Sequence, residues 1–235
     1  MMQSNDTALL VFSRSAEAEV AAKQFLHSGK KTQNTRIAQS LIDRVFEITK
    51  ETGLPTFTFN ENQQTGCSFG EKLSNAIINI FNKGYSRLLI IGNDCPQLTS
   101  SIVTKACNQL QNNDVVLAPT KKGGLYLIGL SQISFDKNTI INMAWQTNHV
   151  FADWEKYIQK KSFTYFQLPE LNDINNSTDL IRIISASSKL DAFRKLIISL
   201  LSSLYLPPAC SSKLLFSFIC SYVQTLRAPP SAICS

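Results

Sequence analysis

An aspartate lies three residues after a mostly apolar run that is typical of a buried strand, and its carboxylate is a candidate for ligand or metal binding. The run is Arg87–Ile91, and Asp94 lies in the turn of residues 92–96 that comes after it. A carboxylate at the end of a buried strand can hold a hard divalent cation, Mn²⁺ or Mg²⁺, against a diphosphate. An acidic residue between a strand and a helix is also typical of a turn or a helix cap. Position alone therefore leaves Asp94 as a candidate metal ligand and as a candidate structural residue.

The cysteines and histidines do not form a pattern typical of a metal site or a nucleophile. The six cysteines include no C-x-x-C pair and no zinc-type grouping with His27 and His149. A single histidine such as His149 is more often a packed or surface residue than a general base. Cys95 has no neighbour in sequence that would lower its pKa. We expect reduced thiols and, because the N-terminus lacks the pattern of a signal peptide, a cytoplasmic protein.

Apolar runs and amphipathic stretches alternate along the first 185 residues and would position the turn that contains Asp94. Strands are predicted at residues 8–12, 56–59, 87–91, 115–117 and 125–130, with an edge strand at residues 163–168. Helices are predicted at residues 36–52, with Gly53 as a left-handed cap, at residues 69–81, after a cap at Ser100, and after a cap at Ser177.

This alternation predicts an α/β fold with an open, doubly wound and mostly parallel sheet in three α/β/α layers. Strands that are separated by helices favour parallel pairing through right-handed crossovers. Ligands of such sheets bind outside the carboxyl ends of the strands. The turn of residues 92–96 lies at one of these ends, so we expect the ligand site beside it.

Residues 186–235 differ from residues 1–185 in composition, and we expect them to form an apolar helical extension of the first domain. They carry five basic residues and one acidic residue, hence +4 of the formal net charge of +6. Their apolar stretches at residues 196–206 and 214–223 are shorter than the ~20 residues that span a bilayer. Packing on the domain, a homodimer contact and weak membrane-surface contact stay open. No dense basic stripe is visible, so nucleic acid is not an expected partner.

Several short segments occur in an order that is more specific than any one of them. The segments are residues 66–73, 84–85, 89–98, 114–119 and 123–130. This series resembles the bacterial glycosyltransferase-A-like family of nucleotide-diphospho-sugar transferases, which includes the arsenosugar-biosynthesis glycosyltransferases. Trp145, Thr147 and Val150 look like the W-x-T-x-x-V element of that family, and residues 171–180 are similar to its closing segment. The resemblance covers roughly residues 9–184.

The resemblance implies a glycosyltransferase-A fold that binds a nucleotide sugar, with a divalent metal bridging its diphosphate and Asp94. The metal would act as a Lewis acid on the leaving nucleoside diphosphate. The implied binding residues are Ser13, Arg14, Lys23, Phe69, Gly70, Glu71, Asn93, Asp94, Lys122, Gly123, Gly124 and Trp145. Gly123 and Gly124 would let the backbone approach the ligand, although a hairpin turn explains them equally well. Glu71 also has a structural explanation, because a helix start favours a glutamate.

The sequence departs from the family in two places. Family members carry a phosphate-binding loop of the form P-G-x-V-K-T-R-L, whereas residues 17–25 here lack its glycine and its paired basic residues. Lys23 and Arg14 are candidates for phosphate contacts, but solvated surface charges are the more typical position of such residues. An aspartate usually precedes the two glycines in the family, and Lys122 stands there in this chain.

These departures leave three functional hypotheses open. In the first, the protein is a glycosyltransferase with Asp94 as the metal or diphosphate anchor, and in a metal-independent form of this hypothesis the Lys122 ammonium replaces the charge of the metal. In the second, it is a nucleotidyltransferase of the same fold. In the third, substrate binding has decayed and the scaffold serves as a non-catalytic binding or assembly module.

Overall fold

A computed structural model describes residues 6–26, 30–186 and 192–205 of the chain. Its elements in chain order are β1 (Thr7–Phe12), α1 (Ala16–Ala22), α2 (Lys31–Thr52), β2 (Thr56–Phe59), α3 (Phe69–Phe81), β3 (Arg87–Ile91), α4 (Ser100–Gln109), β4 (Val115–Pro119), β5 (Leu125–Ser131), α5 (Lys137–Ile141), α6 (Val150–Lys161), β6 (Tyr165–Gln167), α7 (Ser177–Ala186) and α8 (Ala192–Tyr205).

The six strands form one mixed sheet in the order β2-β1-β3-β5-β4-β6. β1 pairs in parallel with β2 and β3, and β4 pairs in parallel with β6. Only β5 runs in the opposite direction, since it is antiparallel to both β3 and β4. The predicted mostly parallel α/β fold is confirmed, and the carboxyl ends of the five parallel strands lie at one edge of the sheet.

Helices cover both faces of the sheet because successive strand residues point to opposite sides. On one face, Leu10 of β1 and Ile90 of β3 pack with α3 and α6. On the other face, Leu9 and Leu89 pack with α4 and part of α2. All six residues of β1 are buried, as expected for a strand with helices on both sides.

A third apolar cluster lies outside these two layers, between α1, α2, α7 and α8. Ile37 and Leu41 of α2 belong to this cluster together with Leu180 of α7, and Ile197 and Leu200 of α8 are buried in it. The first apolar stretch of the predicted extension thus packs on α2, whereas residues 214–223 lie outside the described residues. Within the described part of the chain, no helix combines the length and the apolar character that crossing a membrane needs.

The helix boundaries differ from the prediction at their N-termini. α2 begins at Lys31 instead of residue 36. Thr99 caps α4, because its side chain accepts a hydrogen bond from the N–H of Ile102, and Ser100 is already the first helical residue. Asn176 accepts from the N–H of Asp179 at the start of α7, so the cap predicted for Ser177 lies one residue earlier. Gly53, with a φ of 65°, is the predicted left-handed cap of α2.

Candidate functional site

A cleft of about 740 Å³ opens at the carboxyl edge of the sheet, where the loops after β1, β2, β3 and β4 converge. Nine of the twelve predicted binding residues line it. They are Ser13, Arg14, Lys23, Phe69, Asn93, Asp94, Lys122, Gly124 and Trp145. The sheet explains this convergence, because residues far apart in the sequence follow strands that end side by side.

The loop after β1 leads into the short helix α1, which forms one wall of the cleft. The hydroxyl of Ser15 accepts a hydrogen bond from the N–H of Ala18 and so caps α1. The Glu61 carboxylate, which follows β2, accepts hydrogen bonds from the N–H and the hydroxyl of Ser15. These hydrogen bonds lower the pKa of Glu61, the largest effect coming from the Ser15 hydroxyl. The start of α1 is thereby tied to the loop after β2.

Lys23, the C-cap of α1, brings its ammonium to Asp94. Its Nζ lies 3.2 Å from Oδ2 of Asp94 and 2.9 Å from Oε1 of Glu19. Arg14 contributes a second cation, with Nη1 at 3.6 Å from Oε2 of Glu19. Two cations and two carboxylates therefore form one network on this wall, which we call the α1 network (Arg14, Glu19, Lys23 and Asp94).

Two members of the α1 network, Lys23 and Glu19, are largely screened from water. The side chain of Lys23 is 17% exposed and that of Glu19 is 4% exposed. Burial alone would lower the pKa of Lys23, but the charges of Asp94 and Glu19 outweigh it, and the net effect is a raised pKa. Lys23 is thus a charged group that is mostly shielded from solvent, and the expectation of a solvated surface position was wrong. Arg14 is 35% exposed and lines the cleft.

The opposite wall is the β4–β5 hairpin, which carries Lys122. Nζ of Lys122 donates a hydrogen bond to Oδ2 of Asp179, near the start of α7. The carboxylate of Asp179 is 4% exposed, and it also accepts from the N–H of Asn175 and lies 3.5 Å from Nη1 of Arg182. The charge of Lys122 is therefore paired with Asp179 and not with Asp94.

Aromatic rings form an apolar part of the cleft. Phe12 and Phe69 meet edge to face with ring centroids 5.5 Å apart, and Phe69 lies 5.3 Å from Trp145. The indole N–H of Trp145 donates to the backbone carbonyl of Ile140, which fixes the orientation of the ring. This aromatic wall (Phe12, Phe69 and Trp145) can contact the apolar face of a sugar or a base.

Three predicted residues do not line the cleft and have structural explanations. A Cβ at Gly70 would lie 2.5 Å from the carbonyl oxygen of Ile141, so this glycine allows α3 to pack on α5. The Glu71 carboxylate completes a capping box with Ser68. Gly123 has a φ of 80°, and a Cβ there would lie 2.1 Å from the carbonyl oxygen of Asn148. The hairpin explanation of Gly123 therefore matches its geometry.

A match to the middle of the chain shows which protein family it belongs to. A family model described as "Uncharacterized protein conserved in bacteria (DUF2064)" matches residues 18–147. The chain belongs to this DUF2064 family. None of the curated protein sequences matches it significantly. The matched range includes Lys23, Asp94 and the β4–β5 hairpin, but it begins after Arg14 and ends before Asp179.

Solved structures show which fold this DUF2064 member shares. A protein from Desulfovibrio desulfuricans G20 described as a "putative nucleotide-diphospho-sugar transferase" has a TM-score of 0.75 and 18% identity, over 85% of this chain and 98% of that one. Rv0371c from Mycobacterium tuberculosis in complex with manganese has a TM-score of 0.47 and 10% identity, over 77% and 98%. A cytidylyltransferase from Leptospira borgpetersenii has a TM-score of 0.41 and 13% identity, over 95% and 98%. At 18% identity the likeness to the Desulfovibrio protein shows the fold alone, and this fold agrees with the resemblance found in the sequence.

The residues around Asp94 do not suit a divalent cation in this DUF2064 member. Such a cation needs several oxygen ligands, and Mg²⁺ binds them at about 2.0–2.1 Å in octahedral geometry. The Asp94 carboxylate already contacts the Lys23 ammonium, which Glu19 holds from the other side. Among the described residues, no three His, Cys, Asp or Glu side chains are grouped as metal ligands. Few side-chain oxygen ligands are therefore available to a metal beside Asp94, and the Asp94 carboxylate is already paired with the Lys23 ammonium.

Several lining residues were not predicted from the sequence. Asp173 and Asn175 reach the cleft because the N–H of Ile174 donates to the carbonyl of Asp94. Glu19 was also missed, although its i, i+4 spacing from Lys23 on a helix was a readable signal. Cys95 is buried, and burial followed by the charge of Asp94 raises its pKa to about 12. This agrees with its exclusion as a nucleophile.

Proposed function

We propose that this protein binds a nucleotide-diphospho-sugar in the cleft and transfers its glycosyl group to an acceptor. The observation that carries the proposal is the meeting of the α1 network with the aromatic wall at the carboxyl edge of the sheet. A diphosphate needs cations, and a sugar or a base needs a flat apolar surface. The fold shared with the Desulfovibrio protein described as a "putative nucleotide-diphospho-sugar transferase" is the second support.

In the proposed reaction, the bond between the anomeric carbon and the β-phosphate oxygen breaks. Its electron pair leaves with the nucleoside diphosphate, the acceptor oxygen forms the new bond to the anomeric carbon, and the acceptor proton is released to solvent. Arg14 and Lys23 stabilise the negative charge that develops on the leaving diphosphate, as cations that are already in place do most effectively. Asp94 and Glu19 act as positioning residues, because they hold the Lys23 ammonium.

The aromatic wall is proposed to bind the sugar or the base. Trp145 is the best placed of its rings, because its indole N–H is already bonded to the carbonyl of Ile140 and the ring is held beside Phe69. A ring that is fixed before the ligand arrives loses little conformational freedom on binding.

A thermal-shift and calorimetric screen of nucleoside diphosphates and nucleotide sugars, with and without Mn²⁺ or Mg²⁺, tests the proposal. A ligand that binds only the folded protein raises its melting temperature. We expect at least one nucleotide sugar to bind and Arg14→Met to weaken it by about tenfold. Lys156→Met is the matched control, since Lys156 forms an exposed ion pair with Asp153 and does not line the cleft.

Product analysis then decides the type of transfer. Incubation of the bound nucleotide sugar with the protein should release the nucleoside diphosphate as the sugar is transferred or hydrolysed. Release of pyrophosphate from a nucleoside triphosphate and a sugar phosphate would instead indicate a nucleotidyltransferase. If no nucleotide or nucleotide sugar binds under any of the conditions, the proposed function is wrong and a non-catalytic module is the better explanation.

A further inference from the structure

The α1 network contains a cation at Asp94, where the resemblance found in the sequence predicts a metal. Building on the proposed function, we propose that the Lys23 ammonium takes the position of a divalent ion beside Asp94, so that the cleft binds its diphosphate ligand without a metal. Lys23 Nζ lies 3.2 Å from the Asp94 carboxylate and 2.9 Å from the Glu19 carboxylate. These are the distances of N–H···O hydrogen bonds.

The donor count of Lys23 fits a ligand-binding role. An ammonium group has three N–H donors and no acceptor. Glu19 and Asp94 accept two of them in the described structure. The third donor is left for a phosphate oxygen, and Lys23 lines the cleft where such an oxygen would lie. One ammonium can thereby join the protein carboxylates to the ligand, which is the bridging task of a metal.

The charge of the α1 network is balanced without a metal. Arg14 and Lys23 supply two positive charges, and Glu19 and Asp94 supply two negative charges. A divalent ion bound to Asp94 would stand close to the Lys23 ammonium, in a place where 17% side-chain exposure leaves little water to screen the repulsion. It would have to displace Lys23 from both carboxylates.

The position of Lys23 is built into the local structure. Lys23 and Glu19 are an i, i+4 pair, and the N–H of Lys23 donates to the carbonyl of Glu19 at the end of α1. Arg14 contacts the second oxygen of Glu19 and so holds that carboxylate from the other side. Lys122, which stands where the family carries an aspartate, is paired with Asp179 and offers no metal ligand.

Manganese titration followed by electron paramagnetic resonance tests the proposal with the metal alone. Wild-type protein should leave the signal of free Mn²⁺ unchanged up to millimolar concentration. Lys23→Met removes the ammonium but leaves the carboxylates of Glu19 and Asp94, and it should bind Mn²⁺ at least tenfold more tightly than wild type. Asp94→Asn in the Lys23→Met background should abolish the gain. Micromolar binding by wild type, or the absence of a gain in a folded Lys23→Met protein, would overturn the proposal.

Pyrophosphate binding is the second measurement, and it remains decisive if Lys23→Met does not fold. Calorimetry should give the same affinity for wild type, within twofold, in EDTA and in Mg²⁺, and Lys23→Arg should retain binding in EDTA. Loss of pyrophosphate binding in EDTA would contradict the proposal.

The two proposals can fail separately. Wild-type protein that binds a nucleotide sugar only with Mn²⁺ would keep the proposed function and refute the role of Lys23. Wild-type protein that binds pyrophosphate without a metal but no nucleotide sugar would support the role of Lys23 and refute the proposed function.

Discussion

Each wall of the cleft carries a lysine bound to an aspartate, but the two pairs are buried in opposite senses. On the α1 wall the lysine is the less exposed partner, since Lys23 is 17% exposed while Asp94 is 32% exposed. On the hairpin wall the aspartate is buried, since Asp179 is 4% exposed and Lys122 is 39% exposed. The cation that faces Asp94 is thus Lys23. Lys122, at the position where the resemblance predicts an aspartate, faces Asp179 instead.

The difference also concerns the other partners of each pair. Lys23 is the cation that lies between Glu19 and Asp94. Without it, Glu19 retains the 3.6 Å contact with Arg14, but Asp94 loses the one ion pair that it forms among the described residues. Asp179 retains the N–H of Asn175 and the guanidinium of Arg182 when Lys122 is absent. The α1 wall is thus expected to depend on its lysine much more than the hairpin wall does.

Removal of the Lys23 charge should have the largest effect. Lys23→Met leaves the buried carboxylate of Glu19 and its neighbour Asp94 with one cation less, and we expect a loss of about 3 kcal/mol in the free energy of unfolding. Urea denaturation followed by circular dichroism measures it. If Lys23→Met lowers the free energy of unfolding no more than Lys122→Met does, the α1 wall does not depend on its lysine more than the hairpin wall.

Gly123→Ala should have the next largest effect on stability, because the β4–β5 hairpin needs a residue without a Cβ at this position. The new Cβ would lie 2.1 Å from the carbonyl oxygen of Asn148, at a φ of 80°. We expect a loss of about 2 kcal/mol in the free energy of unfolding. Gly124→Ala is the control, since its Cβ would lie 3.2 Å from the hydroxyl oxygen of Thr120, and it should cost clearly less in the same denaturation experiment.

Lys122→Met should cost only about 1 kcal/mol, because the lysine is more than one third exposed and Asp179 keeps its other partners. The same urea experiment measures this value. Lys122→Met should also leave the signal of free Mn²⁺ unchanged, as wild type does, and its affinity for pyrophosphate should be within twofold of that of wild type. A tenfold loss of pyrophosphate affinity would restore the hypothesis that Lys122 replaces the charge of a metal.

The smallest effect should appear at alkaline pH. The pKa of Lys23 is raised, because Asp94 and Glu19 outweigh burial, so its stabilising contribution is complete below its ordinary pKa of 10.5 and is lost as pH rises through the folded value. Wild-type stability should therefore fall more steeply above pH 10.5 than that of Lys23→Arg, whose guanidinium does not titrate there. Burial also raises the pKa values of Tyr126 and Tyr157, but both proteins share these tyrosines. Parallel curves for the two proteins would contradict the prediction.

Much of the fold could be predicted from local sequence. The runs that became β1, β3, β4 and β5 are apolar at successive positions because both faces of the sheet are covered. An edge strand was predicted at residues 163–168, and β6 occupies Tyr165–Gln167 of that range. Helix starts were less accurate, because Thr99 and Asn176 can cap as well as the serines that follow them.

The candidate site was only partly predictable for a physical reason. Sequence alone determined that a carboxylate, Asp94, follows a covered strand, because apolar periodicity and turn residues are local properties of the chain. The partner of that carboxylate lies 71 residues earlier, and the partner of Lys122 lies 57 residues later. The pairing of β1 with β3 brings α1 to Asp94, and the position of α7 brings Asp179 to the hairpin. Tertiary structure therefore decided which lysine faces Asp94, because ion pairs between distant segments depend on strand order and not on local pattern.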